Sequence, residues 1–582
     1  MNLAKQMFKN NRVVILGVSG LLVLLIVAGL LWQAEQESED FEAIIQEIAV
    51  VTLKDNPEVL LYLGVEEADG IRWDPTKLTD LSDADYKQRN DNLTDLLRKL
   101  NAYDAAKLSP EDKLTYDIVK WELGAELQLN PYSDLNTDEY LLLSNFPPYF
   151  ANNYPIRNYE DATNYNQALI GFSNKMAHFI DRIQERKRKG IIPPYETLRQ
   201  MLANYESLRN TKPEQTILYT LYAEKLANLQ LDSSKEEELK RALLQTIVDH
   251  ILTSYGKLAD LIKNDLMKQA SGSQGIWSQP GGSEYYSARL RAATGTDLDP
   301  LEVHELAKRK VEEIVKEIRS QTSEQTQDTA AANSLLSGEE LLQAVSGHPG
   351  KIMPSLSDWF DDELITDNPV DVRSYPVPFS GAGAFYIPLS VDGSRDGRFF
   401  LPLDNAIPAS LAHLLAVHEG VPGHHLQISI QYDSPTIPLV RKANLLPGFV
   451  EGWAVYAETL CADSGLLDPV TVQSHLLNSY LGAVVDTGIN GLKWTREQAN
   501  ENITSLIGTG SDDLIDSVIA FPGLLSSYAI GYDQFQSFRE KAEDELQDRF
   551  DLKAFHSVLL RNGTMPFPIL EQQVNQYIES VN

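Results

Sequence analysis

The stretch HEGVPGHH, residues 418–425, places a histidine and a glutamate shortly before two further histidines. In the short signature of zinc peptidases, the second histidine follows the first by four residues, so both imidazoles reach one ion from the same face of a helix. Here position 422 is a proline, and the next histidines are His424 and His425. The stretch is therefore either a metal site with a longer spacing or a structural pair of histidines at a helix end.

Pro422 and Gly423 make the longer spacing workable. On an unbroken helix, a residue six positions after His418 points about 120° away from it and cannot share its ion. Pro422 has no N–H, and its ring clashes with the carbonyl of His418, so the helix must break. Gly423 makes unusual backbone angles accessible. We expect the Pro-Gly pair to return His424 to the metal. His425 is the alternative ligand, or a neighbour that binds substrate or orients a ligand.

A third ligand is expected from PGFVEGWAVYAETLCADSG, residues 447–465. Glu451 and Glu458 are seven residues apart and lie on nearly one stripe of a helix. Glu451 is the predicted ligand, and Glu458 is expected to orient a ligand from behind or to contact a further helix. Two histidines and one glutamate leave a fourth position open to water, as in catalytic zinc sites. Glu419 would then deprotonate that water and protonate the leaving amine.

The elements that position these residues are mostly helices, because apolar residues recur three and four positions apart through most of the chain. The proline-rich stretch 144–158 predicts turns. We expect a mainly α, multi-helical fold. It divides into an N-terminal half (33–275) and a C-terminal half (276–582) that carries the site.

One stretch, AFYIPLSVDGSRDGRFFLPLD (384–404), predicts a β-hairpin beside the metal helix. Pro388 and Pro402 favour edge strands. An edge strand beside a metal site could pair with an extended peptide backbone, and a purely structural hairpin is the alternative.

The first 32 residues predict a membrane anchor. Residues 1–12 are basic, and in the apolar stretch 13–32 Ser19 is the only polar side chain. At about 1.5 Å per residue this stretch spans about 30 Å, the thickness of a hydrocarbon core. No small-residue cleavage site follows, which favours an uncleaved transmembrane signal anchor with a cytoplasmic basic tail and the rest periplasmic or extracellular. A cleaved signal peptide is the alternative.

The charge of the chain limits its partners. It has 83 acidic and 50 basic residues, a net charge of −33, which argues against nucleic acid or anionic lipid as a partner. The single cysteine, Cys461, excludes an intrachain disulfide and lies in an apolar helical stretch typical of a buried, inert thiol.

The sequence resembles a known family, the bacterial domain of unknown function 885 (DUF885), over about residues 40–580. The family resembles gluzincin or neurolysin-like metallopeptidases, which implies a helical fold around a deep channel. It further implies one zinc ion on His418, His424 and Glu451. Glu419 would be the base. Three strings carry the resemblance most clearly: HEGVPGHHLQ (418–427), VEGWAVYAE (450–458) and DTGINGLKWTREQA (486–499).

Two positions depart from the family pattern. Asn490 stands where a histidine is expected, and Leu524-Leu525 stands where the pattern has Gln-Ala. A histidine beside the metal stabilises an oxyanion, and losing one such donor costs about 10²–10³ in rate. Asn490 can still donate a hydrogen bond. Tyr528 and Tyr532 share one helix face and either supply the remaining donor or pack in the core.

Together these features predict a membrane-anchored, exported zinc hydrolase that cleaves peptide bonds in short or unfolded peptides. One alternative is a zinc amidase acting on a non-peptide amide or a cell-wall fragment. Another is a binding or scaffold protein whose site has lost activity.

Overall fold

The computed structural model is mainly helical, as the apolar periodicity predicted. The predicted basic tail (1–12) and transmembrane segment (13–32) lie outside the described residues. The structure describes residues 40–68, 70–270, 272, 274–321, 334–374 and 383–582.

Helices follow one another through both halves of the chain, joined by short 3₁₀ turns and by two π-helical turns, Ile247–Leu252 and Thr487–Gly491. The α-helices are 40–53, Pro57–Leu63, Asp83–Ala102, Pro110–Leu129, Asp138–Asn153, Tyr159–Arg188, Tyr195–Asn210, Ile217–Ala227, Ser233–Thr246, Thr253–Asn264, Gly282–Thr294, Pro300–Gln321, Gly338–Ser346, Pro349–Trp359, Ala409–Glu419, His424–Asp433, Leu439–Lys442, Pro447–Asp463, Pro469–Asp486, Arg496–Ile507, Asp512–Ala520, Leu524–Leu546, Leu552–Leu560 and Phe567–Val581.

Among the described residues, no single helix has both the length and the apolar composition needed to cross a membrane. One pair of helices bent by 94°, Asp512–Ala520 with Leu524–Arg549, meets those two requirements jointly.

A three-stranded sheet contains the predicted β-hairpin. Its central strand, Gly397–Leu401, pairs antiparallel with Phe385–Ile387 and parallel with Val370–Ser374. The hairpin is confirmed, but the expectation of two edge strands is wrong for Gly397–Leu401. Pro388 and Pro402 each follow directly after a strand, where a missing N–H removes no ladder hydrogen bond. Two short ladders complete the strands: Glu67–Ala68 with Ile71–Arg72, and Leu335–Leu336 with Ile407–Pro408.

Residues 144–153 of the proline-rich stretch predicted as turns are helical instead, and only 154–158 lie outside the helix. Helix Asp138–Asn153 contains Pro147 and Pro148. Pro147 has no N–H to donate to the carbonyl of Leu143, four residues earlier. The Tyr255 hydroxyl, from a distant helix, donates to that carbonyl at 2.7 Å. A tertiary hydrogen bond therefore replaces the lost helical one and lets the helix continue.

The hydrophobic core joins the two halves of the chain. One cluster lies wholly within the first half. A second surrounds Trp453 and Phe449 and also includes Leu114 from the first half. Residues 33–275 and 276–582 therefore pack on shared apolar surface, and a domain boundary near residue 275 stays a prediction.

Two helices of the C-terminal half touch through their backbones. We call Pro447–Asp463 the glutamate helix and Leu524–Leu546 the tyrosine helix. A Cβ atom on Gly452 would overlap the backbone of Gly531, and one on Gly531 would overlap the carbonyl of Gly448. The absence of side chains at these glycines therefore sets how closely the two helices approach.

Replacing Gly452 tests this close approach. We expect Gly452→Ala to lower the free energy of unfolding by about 1–3 kcal/mol, because two packed backbones cannot move apart without losing neighbouring contacts. The midpoint of urea unfolding measures the effect. The matched control is Gly171→Ala, since a Cβ at this helical position meets nothing within 4 Å. The control should raise stability by about 0.5–1 kcal/mol. Equal midpoints for Gly452→Ala and the native chain would contradict the prediction.

Candidate metal centre

The predicted helix break lies between Glu419 and His424. One helix ends at Glu419 and the next begins at His424. A Cβ atom on Gly423 would overlap the carbonyl oxygens of Val417 and His418, so only glycine fits the return of the chain. The carbonyl of Pro422 accepts a hydrogen bond of 2.8 Å from the indole of the fully buried Trp453. This bond fixes the loop to the glutamate helix.

The break brings three predicted residues together. The Nε2 atoms of His418 and His424 each lie 3.4 Å from Oε2 of Glu451, and the three donor atoms lie within 4.8 Å of one another. Two donors on a tetrahedral zinc ion, with bonds of about 2.0–2.1 Å, are about 3.3–3.4 Å apart. Both distances to Glu451 therefore match those of a zinc site, and this His/His/Glu group could hold a metal ion.

Hydrogen bonding behind the group directs a lone pair toward its centre. The Nδ1 atom of His418 lies 2.7 Å from Oε1 of the fully buried Glu458, so it donates, and in the neutral ring Nε2 then carries the lone pair. That lone pair faces Oε2 of Glu451, a buried atom that makes no hydrogen bond with any described residue. Two facing lone pairs repel unless a proton or a cation lies between them. The donor set therefore fits a divalent ion such as zinc.

The pKa directions agree with this need for positive charge. Burial opposes the charged form of His418, but Glu451 and Glu458 outweigh it and hold the pKa of His418 well above its usual value. Burial likewise opposes charge on Glu451, yet His424 and His418 hold the pKa of Glu451 well below its usual value. The carboxylates thus favour a positive charge at the centre of the group.

Sequence reasoning missed a second histidine behind the group. Oε2 of Glu458 accepts a hydrogen bond of 2.8 Å from Nδ1 of His475, on helix Pro469–Asp486. Glu458 therefore joins His418 to His475 and fixes the orientation of the His418 ring, as partners behind metal ligands do. No spacing pattern marks His475, because its contact is with a different helix.

Glu419 and Tyr528 lie beside the group. Burial raises the pKa of Glu419, against the opposing effect of His424 and His418. The Tyr528 ring is parallel to the His418 ring, with centroids 6.3 Å apart. Burial, then the charges of Glu451 and Glu419, raise the pKa of Tyr528 well above its usual value. Tyr528 therefore stays protonated as a hydrogen-bond donor.

Two further predicted residues, His425 and Tyr532, make contacts outside the His/His/Glu group. His425 lies 2.7 Å from the Tyr386 hydroxyl through Nδ1 and 2.8 Å from the Asn368 carbonyl through Nε2, so both ring nitrogens are occupied. His425 thus ties its helix to the sheet, which corrects its expected role as a ligand, ligand-orienting or substrate-binding residue. The Tyr532 ring packs edge-on against Tyr480 with centroids 6.4 Å apart, as the core-packing alternative expected.

Asn490 is fully buried, and its side-chain amide is hydrogen-bonded within the interior. Its amide donates to Asp486 and to the Val518 carbonyl, each at 3.0 Å, and accepts from the Ile276 N–H. Both amide hydrogens are used, so the expectation that Asn490 donates to a reacting oxygen is wrong.

Asp486 connects the two departures from the family pattern. It accepts hydrogen bonds from Asn490, from the Gly523 N–H and from the Ser526 hydroxyl. Gly523 and Ser526 flank Leu524-Leu525 at the start of the tyrosine helix. Both departures therefore border one buried network that joins two helices.

A match to a family model identifies the family to which this chain belongs. Residues 57–574 match the model described as "Bacterial protein of unknown function (DUF885)". Because the match covers most of the chain, the chain belongs to this family. No curated protein matches the sequence significantly.

Two solved structures share the fold. A putative lipoprotein from Colwellia psychrerythraea aligns with a TM-score of 0.84 at 22% identity, covering 94% of this chain and 99% of that one. A putative lipoprotein of unknown function from Shewanella oneidensis aligns with a TM-score of 0.60 at 15% identity, covering 92% and 99%. At these identities the likeness concerns the fold alone.

A third solved structure is far less similar. The putative oligoendopeptidase F from Bacillus anthracis str. Ames, 12% identical, reaches a TM-score of 0.30, covering 84% of this chain and 96% of that one. This value is too low to support an argument. A gluzincin-like architecture with a deep channel therefore stays a prediction.

The role of Glu458 can be tested through metal affinity. We expect Glu458→Gln to weaken zinc binding about 10–100-fold, because the amide no longer fixes His418 as a neutral ligand with Nε2 free. Competition with a chromophoric chelator measures the affinity. Glu238→Gln, the same change at an exposed helical position, is the control. Unchanged zinc affinity in a folded Glu458→Gln protein would refute this role.

Proposed function

We propose that the protein is a zinc-dependent hydrolase that cleaves amide bonds in short or unfolded peptides. The observation that carries the proposal is the convergence of His418, His424 and Glu451, whose donor atoms lie within 4.8 Å of one another. Two nitrogens and one oxygen leave a further coordination position for water. The Glu451 side chain is 21% exposed, so the edge of the group reaches solvent although its Oε2 atom is buried.

The residues around the group suit the steps of amide hydrolysis. When bound, zinc supplies a Lewis acid that lowers the pKa of a water molecule and polarises a carbonyl. Glu419 accepts the proton of the attacking water and passes it to the leaving amine, and its raised pKa makes it a stronger base. Tyr528 donates its O–H to the developing oxyanion. Glu458 and His475 hold the His418 ring in place.

The sheet beside the group supports a peptide as substrate. Strand Phe385–Ile387 is at the edge of its sheet, with the central strand on one side. Tyr386 in this strand contacts His425, the residue next to His424. An extended peptide that pairs with the edge strand would therefore lie close to the His/His/Glu group.

We place the enzyme outside the cytoplasm, held to a membrane at its N-terminus. The apolar stretch 13–32 supports this location. The two solved structures that share the fold are described as putative lipoproteins, a class of exported, membrane-attached proteins, which agrees with it.

Metal analysis and two variants test the function. We expect about one zinc ion per chain in the native protein and in Glu419→Gln, and little in His424→Ala. Turnover of a mixed peptide library should fall about 10²–10⁴-fold in Glu419→Gln, because the general base is lost. Mass spectrometry of the products gives the rates, with Glu238→Gln as the matched control.

The outcomes separate the alternatives. Absence of zinc from the native protein would exclude both the peptidase and the amidase. Zinc with no peptide turnover, but with release from cell-wall amides, would favour the amidase. Equal peptide turnover by the native chain and Glu419→Gln would exclude Glu419 as the base.

A further inference from the structure

A separate cavity of about 1030 Å³ lies between the first half of the chain and the β-hairpin. Its lining includes neither the His/His/Glu group nor the residues hydrogen-bonded to it. Lys225, Arg395 and Arg398 line it, and we call these three residues the cation cluster. A cluster of positive charge is unexpected in a chain with a net charge of −33.

The three side chains are close together. Lys225 Nζ and Arg398 Nη1 donate to the same acceptor, the carbonyl oxygen of Asn152, at 3.4 and 2.7 Å. Burial, followed by repulsion from Arg398 and Arg395, lowers the pKa of Lys225 to about 7. Burial and neighbouring arginines also lower the pKa of Arg398 to about 10. The cluster therefore concentrates positive charge at an energetic cost.

None of the three cations donates a hydrogen bond to a carboxylate of the described residues. Within the described part of the chain, the side-chain hydrogen bonds of all three cations go to backbone carbonyls. Two of the acids that line the cavity are engaged elsewhere: Glu66 pairs with Arg157 at 2.7 Å, and Asp392 accepts from Ser390 and from the Ser394 N–H. Carboxylates farther away, such as Glu224 for Lys225, attract the cations, but no described carboxylate forms a salt bridge with them.

The C-termini of two helices offset only part of the positive charge of the cluster. The carbonyls belong to the ends of helices Pro57–Leu63 and Asp138–Asn153 and to the residues nearby. Each helix C-terminus carries about −0.5 of a charge, so two termini offset about one cation of three. In addition, Nε of Arg395 is buried and makes no hydrogen bond with any described residue. The helix termini alone therefore do not balance the positive charge of the cluster.

We propose that this cavity binds a small organic dianion with oxyanion groups, either a phosphate monoester or a dicarboxylate. The guanidinium groups of Arg395 and Arg398 match the geometry of such oxyanions. Trp73, Ile156 and Leu439 give the cavity an apolar part that can receive the body of the ligand. This binding site is additional to the proposed hydrolase and does not depend on it.

Calorimetric titration of the purified full chain tests the proposal. Phenyl phosphate and phenylsuccinate are the two probes, and sodium chloride at equal ionic strength is the reference. We expect saturable one-to-one binding of at least one probe. Arg398→Gln should weaken it about tenfold or more, because a charge-assisted hydrogen bond is lost. Arg98→Gln removes the same charge from a side chain that is 71% exposed and should leave affinity unchanged.

The controls locate the bound anion. His424→Ala should bind the probe as the native chain does; loss of binding there would place the anion at the metal centre and overturn the proposal. Binding equal in Arg398→Gln and the native chain, or no saturable binding of either probe, would also overturn it. If Arg398→Gln does not fold, Arg398→Lys keeps the charge without the planar fork and should weaken binding several-fold. Equal binding in that variant would count against the site.

Discussion

The hydrogen bond from the Trp453 indole to the Pro422 carbonyl sets the geometry on which the candidate metal centre depends. Trp453 is two residues beyond Glu451 on the glutamate helix, and Pro422 lies between His418 and His424. One contact therefore controls the distance from both histidines to the third donor. Its net energy is only about 1 kcal/mol. Its importance is positional, because an ångström of displacement would separate donors that must reach the same ion.

The residues behind the group show how the protein balances buried charge. Glu458 is fully buried, which is costly for a carboxylate, and the imidazoles of His418 and His475 each donate to one of its oxygens. The paired carboxylate fixes one tautomer of His418. On another side, the glycine contact between the glutamate and tyrosine helices brings Tyr528 beside His418. Orientation and close packing are thus supplied by different helices.

Charge is distributed unevenly in this acidic protein. Negative side chains dominate the chain as a whole, while the cation cluster holds positive charge in one cavity and donates its hydrogen bonds to backbone carbonyls.

The two departures from the family pattern lie away from the three donor residues in the sequence and border a buried hydrogen-bond network. Asn490 and the start of the tyrosine helix border the network around Asp486, so these positions affect helix packing and not the donor set.

The sequence by itself determined the features that follow local rules. Apolar periodicity predicted the helices, the Pro-Gly pair predicted the break after Glu419, and residue type with helical spacing selected His418, His424 and Glu451. Only the tertiary structure decided the features that need a partner far along the chain. Tyr255 lets a helix continue past Pro147, His475 joins the group through Glu458, and Asn490 donates both amide hydrogens to other partners. A local pattern fixes what a segment can form, but the partner of each buried polar atom is fixed only when distant helices pack together.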